Sequence, residues 1–546
     1  MLNRREFAAA LAGPALATGA TGKQPNIVLM MADDMGIADI GCYGGEISTP
    51  NLDALARGGV RFTQFYNCAR CCPTRASLLT GLYPHQAGIG HMMGDWKLPA
   101  YRGDLNRQGM TIAEVLRGAG YRTAISGKWH VTPVSQSRHN WPMQRGFEKF
   151  FGTIHGAGDY FNPTTLAMGN DFVQPASDDF YYTDAISSYA ASFIDEFASA
   201  ASGGAGEKPF FVYVPFTSPH WPLHALESDI AKYKGRYRDG WDALRLSRHR
   251  RMIEMGLVDS RWPLTPRDPA VPAWTGAPDK EWEQRRMEVY AAQVDRMDQG
   301  VGRIVDALRR RDALDNTLIL FLADNGGCAE LTARDARNIS IPLTTRFGKP
   351  VLQGNWPELM PGPMETYQSY GTGWANASNT PFRMYKHWVH EGGISTPLIA
   401  HWPKGLRKPD RLVREPGHLI DIMATCVDIS GAKHPGSSEG GGEVKPLEGT
   451  SLAPLLRAER QGLATRRGGA LYWEHEGNRA VRDGRWKLVS RYDNGNRWEL
   501  YDLEADRTEM NDLAASNPAK ASELQAKWDP WAARVGVADW AVVSKK

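Results

Sequence analysis

The sequence predicts an α/β fold: a large mixed, mostly parallel sheet sandwiched by helices, with a small C-terminal antiparallel sheet plus one helix. Three observations carry this. Short apolar runs without polar alternation recur along the chain. An amphipathic helical pattern feeds directly into one of them. The character of the chain changes near residue 434, where short strands separated by turn signals begin.

The apolar runs are Asn26–Met31, Pro209–Val214, Thr317–Leu322 and Pro397–Trp402. Rich in β-branched and aromatic residues, they match parallel strands covered on both faces. Tyr290, Val294, Met297, Val301, Ile304, Val305 and Leu308 follow a 3.6-residue period. That helix leads through Asp315-Asn316 into the Thr317 run. In open sheets of this kind, ligands sit beyond the carboxyl ends of the strands. The stretch from His434 to Val444 is Gly/Ser-rich and reads as a linker or loop. After it, Ala470–Trp473, Ala480–Arg482, Trp486–Ser490 and Trp498–Asp502 read as strands. Asp483-Gly484 and Asn494-Gly495 supply hairpin turns. A last helix is expected from about Pro518 to Ala533. The expected boundaries are an export segment at 1–22, a catalytic α/β domain at 23–440 and a C-terminal subdomain at 441–546.

At 546 residues the chain can bury a large core. Lys+Arg 64 against Asp+Glu 61 gives a net charge of +3, which argues against a nucleic-acid partner. Six cysteines do not make a disulfide scaffold. Arg4-Arg5, the weakly apolar stretch from Ala8 to Ala17 and the Ala15-Leu16-Ala17 box are similar to a twin-arginine export signal. No run of 18 apolar residues occurs, so no stable membrane insertion is expected. The expected location is periplasmic or secreted, in a bacterium.

Chemistry-bearing residues fall after predicted strands. Asp33-Asp34 follow the first run, and Asp324-Asn325-Gly326-Gly327 follow the Thr317 run. Alone, the first pair reads as a helix cap and the second as a turn. At the same end of one sheet, three carboxylates and an amide oxygen make a hard ligand set for Ca²⁺ or Mg²⁺. Without a cation such carboxylates would repel. Cys68 and Cys71 have C-x-x-C spacing, but no second pair accompanies them for zinc. A Cys68–Cys72 disulfide and a Cys-x-Pro-x-Arg element opening a helix at Ala76–Leu79 both stay open.

Cys71-Cys72-Pro73-Thr74-Arg75 followed by Leu79-Thr80-Gly81 resembles the signature of the type I, formylglycine-dependent sulfatases of the alkaline phosphatase superfamily, closest to bacterial arylsulfatases. The resemblance extends through Asn26–Gly36, Gly127-Lys128-Trp129-His130, Ser218-Pro219-His220-Trp221-Pro222, Asp324-Asn325-Gly326, Glu391-Gly392-Gly393 and the C-terminal Trp486-Lys487-Leu488 and Leu500-Tyr501-Asp502-Leu503. It implies that Cys71 is oxidised by a formylglycine-generating enzyme. One hydroxyl of the hydrated aldehyde attacks sulfur, and the other later expels sulfate. It implies one Ca²⁺, with Mg²⁺ as the alternative, held by Asp33, Asp34, Asp324, Asn325 and the residue made from Cys71. The resemblance gives Asp324 a further role, accepting the attacking hydroxyl's proton. Arg75 then fixes the formylglycine, and Lys128 contacts it and sulfate. His130 takes the proton that triggers release, while His220 and Lys386 bind sulfate and assist the leaving oxygen. Without the resemblance, a lone Lys or His is usually solvated or structural.

The implied substrates are aryl sulfates in vitro and sulfated carbohydrates in vivo, with the loops 155–185 and 330–380 expected to select them. Two departures stand out: Val131-Thr132 where the family often has Leu-Gly, and Ser395 where it often has an arginine shortly after Glu-Gly-Gly. Competing functions are phosphodiester or phosphonate hydrolysis on the same fold, and glycan binding on an inactive scaffold.

Overall fold

A computed structural model describes residues 23–545 apart from 135–136, 157, 200–207, 335–340, 436–441 and 459–468. The 1–22 export segment, and much of the stretch read as a linker, lie outside the described residues.

The main sheet runs in the order Arg411–Val413, Val60–Tyr66, Ser395–His401, Thr317–Ala323, Asn26–Ala32, Phe210–Pro215, Arg122–Ser126, Lys149–Thr153, Leu166–Met168, Asp171–Phe172. A short strand, Gly417–His418, also pairs with Val60–Tyr66. The centre is parallel: Ile27 is in register with Phe211 on one side and Leu318 on the other. Successive strand residues face opposite layers. Accordingly Val28, Met30 and Ala32 join a core that includes Val294, Met297 and Val301. Those three belong to the 31-residue helix Lys280–Arg310. Ile27, Leu29 and Met31 join a second core that includes Leu78 and Leu79, on the helix Cys71–Thr80. Burial on both faces explains why these strands read as unbroken apolar runs.

One expectation needs correction. The Pro397 run is a strand, Ser395–His401, but it is antiparallel to both neighbours, Thr317–Ala323 and Val60–Tyr66. Apolar continuity reports burial on two faces and carries no information about direction. The reversal has a consequence for the site. Val60–Tyr66 again runs with the central strands, so its carboxyl end opens on the same edge as theirs. The residues that enter Ser395–His401 lie at that edge too.

The C-terminal sheet is a four-strand antiparallel meander, Leu471–His475, Asn478–Asp483, Trp486–Ser490 and Trp498–Asp502. Glu476 and Gly477 turn the first hairpin with φ 52° and 76°, the left-handed pair such a tight turn requires. The helix Pro518–Val535 covers the sheet, and its Trp531 stacks on Tyr472 with ring centroids 5.1 Å apart. This layer is not separate from the main body. Trp473 Nε1 donates to the Asn67 carbonyl at 2.8 Å, and Tyr66, Ala69 and Ile394 share its core. None of the six cysteines forms a disulfide; Cys68 Sγ meets Ser77 Oγ at 3.4 Å.

Candidate active site

Every predicted site residue reaches one edge of the main sheet. Asp33 and Asp34 directly follow Ala32, and Asp324 and Asn325 directly follow Ala323. Lys128 and His130 follow Ser126, and His220 follows Pro215. Parallel pairing of these strands aims all four loops the same way. Close approach is needed where they meet. At Gly127, φ is 135° and an added Cβ would sit 2.1 Å from the Pro215 carbonyl oxygen, so only glycine fits. Asp34 and His130 hold left-handed φ values of 63° and 58°, strained for residues with a Cβ.

Cys71 opens the helix Cys71–Thr80 and is buried. Thr74 ties that first turn down. Its hydroxyl donates to the Asp324 carbonyl at 2.7 Å and accepts from the Cys68 amide at 3.0 Å. Hydrogen bonds from Cys72 and His130 and the Lys128 charge hold the Cys71 thiol well below its ordinary range although burial opposes this. Burial pushes Cys72 well up. Cys72 Sγ lies 3.2 Å from His130 Nε2, and burial lowers His130 to about 3.

The acidic residues are threaded by cations. Lys128 Nζ donates to Asp33 Oδ2 at 2.6 Å. Arg75 Nη2 donates to Asp324 Oδ2 at 2.8 Å and lies 3.4 Å from Asp33 Oδ2. Lys386 Nζ donates to Asp34 Oδ2 at 2.9 Å and lies 3.3 Å from His220 Nε2. Asn325 Nδ2 donates to Asp34 Oδ1 at 2.7 Å. Burial would raise Asp33, but Lys128 and Arg75 hold it well below the usual carboxylate range. For Asp324 the balance reverses, and burial with the Asp33 charge pushes it well up. Repulsion between the Asp33 and Asp324 carboxylates is what a divalent cation would relieve.

Two oxygens support that fit. Asp33 Oδ1 and Asn325 Oδ1 are buried without a hydrogen-bond partner. Buried acceptors without partners are costly and rare. Both belong to the hard-oxygen set, so the donors present suit Ca²⁺ or Mg²⁺.

Sequence reasoning missed the residues that close the other wall. Glu330 Oε1 accepts from Arg70 Nη1 at 2.8 Å, and its Oε2 accepts from Trp221 Nε1 at 3.0 Å and Lys386 Nζ at 3.3 Å. His387 Nε2 lies 2.9 Å from Glu330 Oε1. Glu330 therefore braces Lys386 from the side opposite Asp34. Arg70 immediately precedes Cys71, the one positional hint available. Glu330 sits in a polar stretch with no motif to distinguish it.

Comparison with known proteins bears on this arrangement. The Sulfatase family pattern matches residues 25–432, and the N-sulphoglucosamine sulphohydrolase C-terminal pattern matches residues 382–529. The chain is 33% identical to an uncharacterized sulfatase of Schizosaccharomyces pombe, over 95% of both proteins. It is 31% identical to an arylsulfatase of Klebsiella aerogenes, over 84% of this chain and 98% of that one. A solved structure in complex with its substrate D-glucosamine-2-N,6-O-disulfate shares the fold, with a TM-score of 0.60 and 22% identity over 96% of this chain and 100% of the other. The chain belongs to the sulfatase family and is a sulfuric ester hydrolase.

Proposed function

We propose that this protein hydrolyses sulfate esters by covalent catalysis at Cys71, after a formylglycine-generating enzyme has oxidised that residue to formylglycine. One Ca²⁺, or Mg²⁺ in its place, would be held by Asp33, Asp34, Asp324, Asn325 and the modified residue. The observation that carries this reading is the meeting of a buried helix-opening Cys71 with Lys128, His130 and Arg75, beside two buried oxygens that lack partners. When bound, the cation supplies Lewis-acid polarisation and neutralises the charge gathering on sulfate oxygens.

The chain's own residues do the rest. Arg75, braced by the Lys128 carbonyl at 3.1 Å, fixes the nucleophile. Lys128 and Lys386 present ammonium groups to a dianionic transition state, the kind of fixed electrostatic stabilisation that dominates many enzymes. His130 is positioned to take the proton that releases sulfate, and His220 with Lys386 to protonate the departing alcohol oxygen. His220 is oriented by its own neighbour, Nδ1 lying 2.6 Å from the Trp221 carbonyl oxygen.

For substrates, we read aryl sulfates as activated test compounds and sulfated carbohydrates as the natural class. The sulfated glucosamine bound by the structural relative supports the second. No helix among the described residues is long and apolar enough to cross a membrane. Export through residues 1–22 by a twin-arginine route to a bacterial periplasm or beyond is part of the same proposal. So is the division into a catalytic part at 23–440 and a C-terminal part at 441–546.

Mass analysis of the peptide containing Cys71 tests the modification directly, an aldehyde being expected in protein made with the maturing enzyme present. Chelation is expected to lower turnover and Ca²⁺ or Mg²⁺ to restore it. Preference for an aryl phosphate diester over an aryl sulfate would overturn the sulfatase assignment of this pocket.

A further inference from the structure

The hairpin tip of the C-terminal sheet carries a second group of ligand-bearing side chains. His475 and Glu476 stand at that tip, and His91 reaches them from the loop that follows the helix Cys71–Thr80. His91 Nδ1 and His475 Nε2 each lie 3.5 Å from Glu476 Oε1. The three ligand atoms all fall within 4.8 Å of one another. Bonds of about 2.0–2.1 Å in a tetrahedral zinc site place neighbouring ligands roughly 3.4 Å apart. Two of the three spacings are close to that value, and the third is no more than 4.8 Å.

The polar accounting points the same way. His475 is fully buried; its Nδ1 has no hydrogen-bond partner, and its Nε2 has only the Glu476 carboxylate at 3.5 Å. His91 Nδ1 also lacks a hydrogen-bond partner. The two nitrogens that face Glu476 do so at a distance too long for a good hydrogen bond, and a metal ion between them and the carboxylate would make better use of them. Trp96 and Trp540 pack on the His91 ring at centroid distances of 4.6 and 4.8 Å and fix its place.

A support for the carboxylate is also present. Glu476 Oε2 lies 2.8 Å from His387 Nδ1, and His387 Nε2 meets Glu330, the residue that braces Lys386. Such outer partners orient metal ligands and tune their affinity. The Glu476 side chain is 23% exposed, so the cluster touches solvent.

We propose that His91, His475 and Glu476 form a zinc site that pins the C-terminal hairpin to the catalytic part of the chain. Two imidazoles and one carboxylate suit Zn²⁺, in contrast to the oxygen-only set around Asp33. The two sites share no ligand, so this proposal stands or falls separately from the formylglycine reading.

The test uses the full-length protein, stripped with a chelator and then kept in excess Ca²⁺ to fill the oxygen site. Titration with Zn²⁺ alone is expected to show one tight equivalent. His91→Ala and His475→Ala should each weaken it by more than about 100-fold, and His387→Gln by about 10-fold. Co²⁺ in place of Zn²⁺ should give the visible bands of a four-coordinate ion without thiolate charge transfer. Thiolate charge transfer would instead place the ion at a cysteine-bearing group, Cys71, Cys72 and His130 or Asp34, Cys328 and Glu330. That result overturns the proposal, as does wild-type protein that retains no Zn²⁺. Equal retention by a His91→Ala variant whose metal-free unfolding matches the wild type overturns it too.

Discussion

The pocket and the junction with the C-terminal sheet both bury carboxylates against lysines and arginines, yet they differ in what is left over. At the junction, Glu391 Oε1 accepts from Lys487 Nζ at 3.0 Å, and its Oε2 accepts from Arg507 Nε at 2.9 Å and Tyr66 at 3.0 Å. Glu509 Oε2 accepts from the Glu391 amide at 3.0 Å, and its Oε1 has Lys487 Nζ at 2.8 Å. In the pocket the same chemistry leaves Asp33 Oδ1 and Asn325 Oδ1 without partners. A closed network spends its charge on holding two layers together. An open one keeps acceptors free for an ion and a substrate. Buried charge alone does not mark a functional site: Glu509 Oε1 at the junction also lacks a hydrogen bond but has a lysine 2.8 Å away, whereas the unpartnered pocket oxygens belong to a hard-oxygen ligand set.

The largest contrast should come from Cys71→Ala. Losing the nucleophile should cost on the order of 10⁴–10⁶-fold in turnover of an aryl sulfate. Stability should move by no more than about 1 kcal/mol. Lys386→Met comes next, with kcat/KM falling about 10²–10⁴-fold. In Ca²⁺-saturated buffer its thermal unfolding should stay near that of the wild type, because the ion can satisfy Asp34. A large loss of stability with unchanged kinetics would move Lys386 to the structural side of the comparison.

How far the sequence disclosed this arrangement follows from where the information sits. Strands covered on both faces announced themselves as apolar runs, and the residues just past them named the pocket floor. Direction was not written there, so the run Pro397–Trp402 was expected to be parallel, whereas the strand it forms is antiparallel to its neighbours. Yet that reversal brings the chain entering it, Lys386 included, to the catalytic edge. Glu330 and Arg70 were illegible for another reason. Their importance comes from meeting each other across 260 residues, and neither has a local pattern. The same holds for His91 and His475, two of the histidines and glutamates that lie along a wall running out from Lys386.

Lys487→Met opens the junction. Removing one partner of a buried pair should cost about 3–5 kcal/mol, read by denaturant or thermal unfolding, while the folded fraction keeps its turnover. A pH signature accompanies it. Burial would raise Glu391, but Lys487 and Arg507 hold it down to about 2. A lowered folded-state value means stability fully present above the unfolded value, about 4.3. It is lost as the pH falls from there towards 2. The variant should lose much of that acid-side slope. An unchanged slope between pH 5 and 2 would show that other carboxylates govern acid unfolding.

Ser395 gives the finest comparison. Arg507 donates to three acceptors at the junction: Nε to Glu391, Nη1 to the Thr63 carbonyl at 2.6 Å and Nη2 to Ser395 Oγ at 2.6 Å. The sulfatase pattern that the chain resembles often carries an arginine shortly after Glu-Gly-Gly. In this chain that place is beside Arg507, where a second guanidinium would face like charge in a buried setting. Ser395→Ala removes only one acceptor from a charged donor and should cost about 1.5–3 kcal/mol with activity retained. Ser395→Arg should cost more than Ser395→Ala, because it adds repulsion to the lost hydrogen bond. If the arginine variant proves as stable as the wild type, Arg507 is not what made serine fit there.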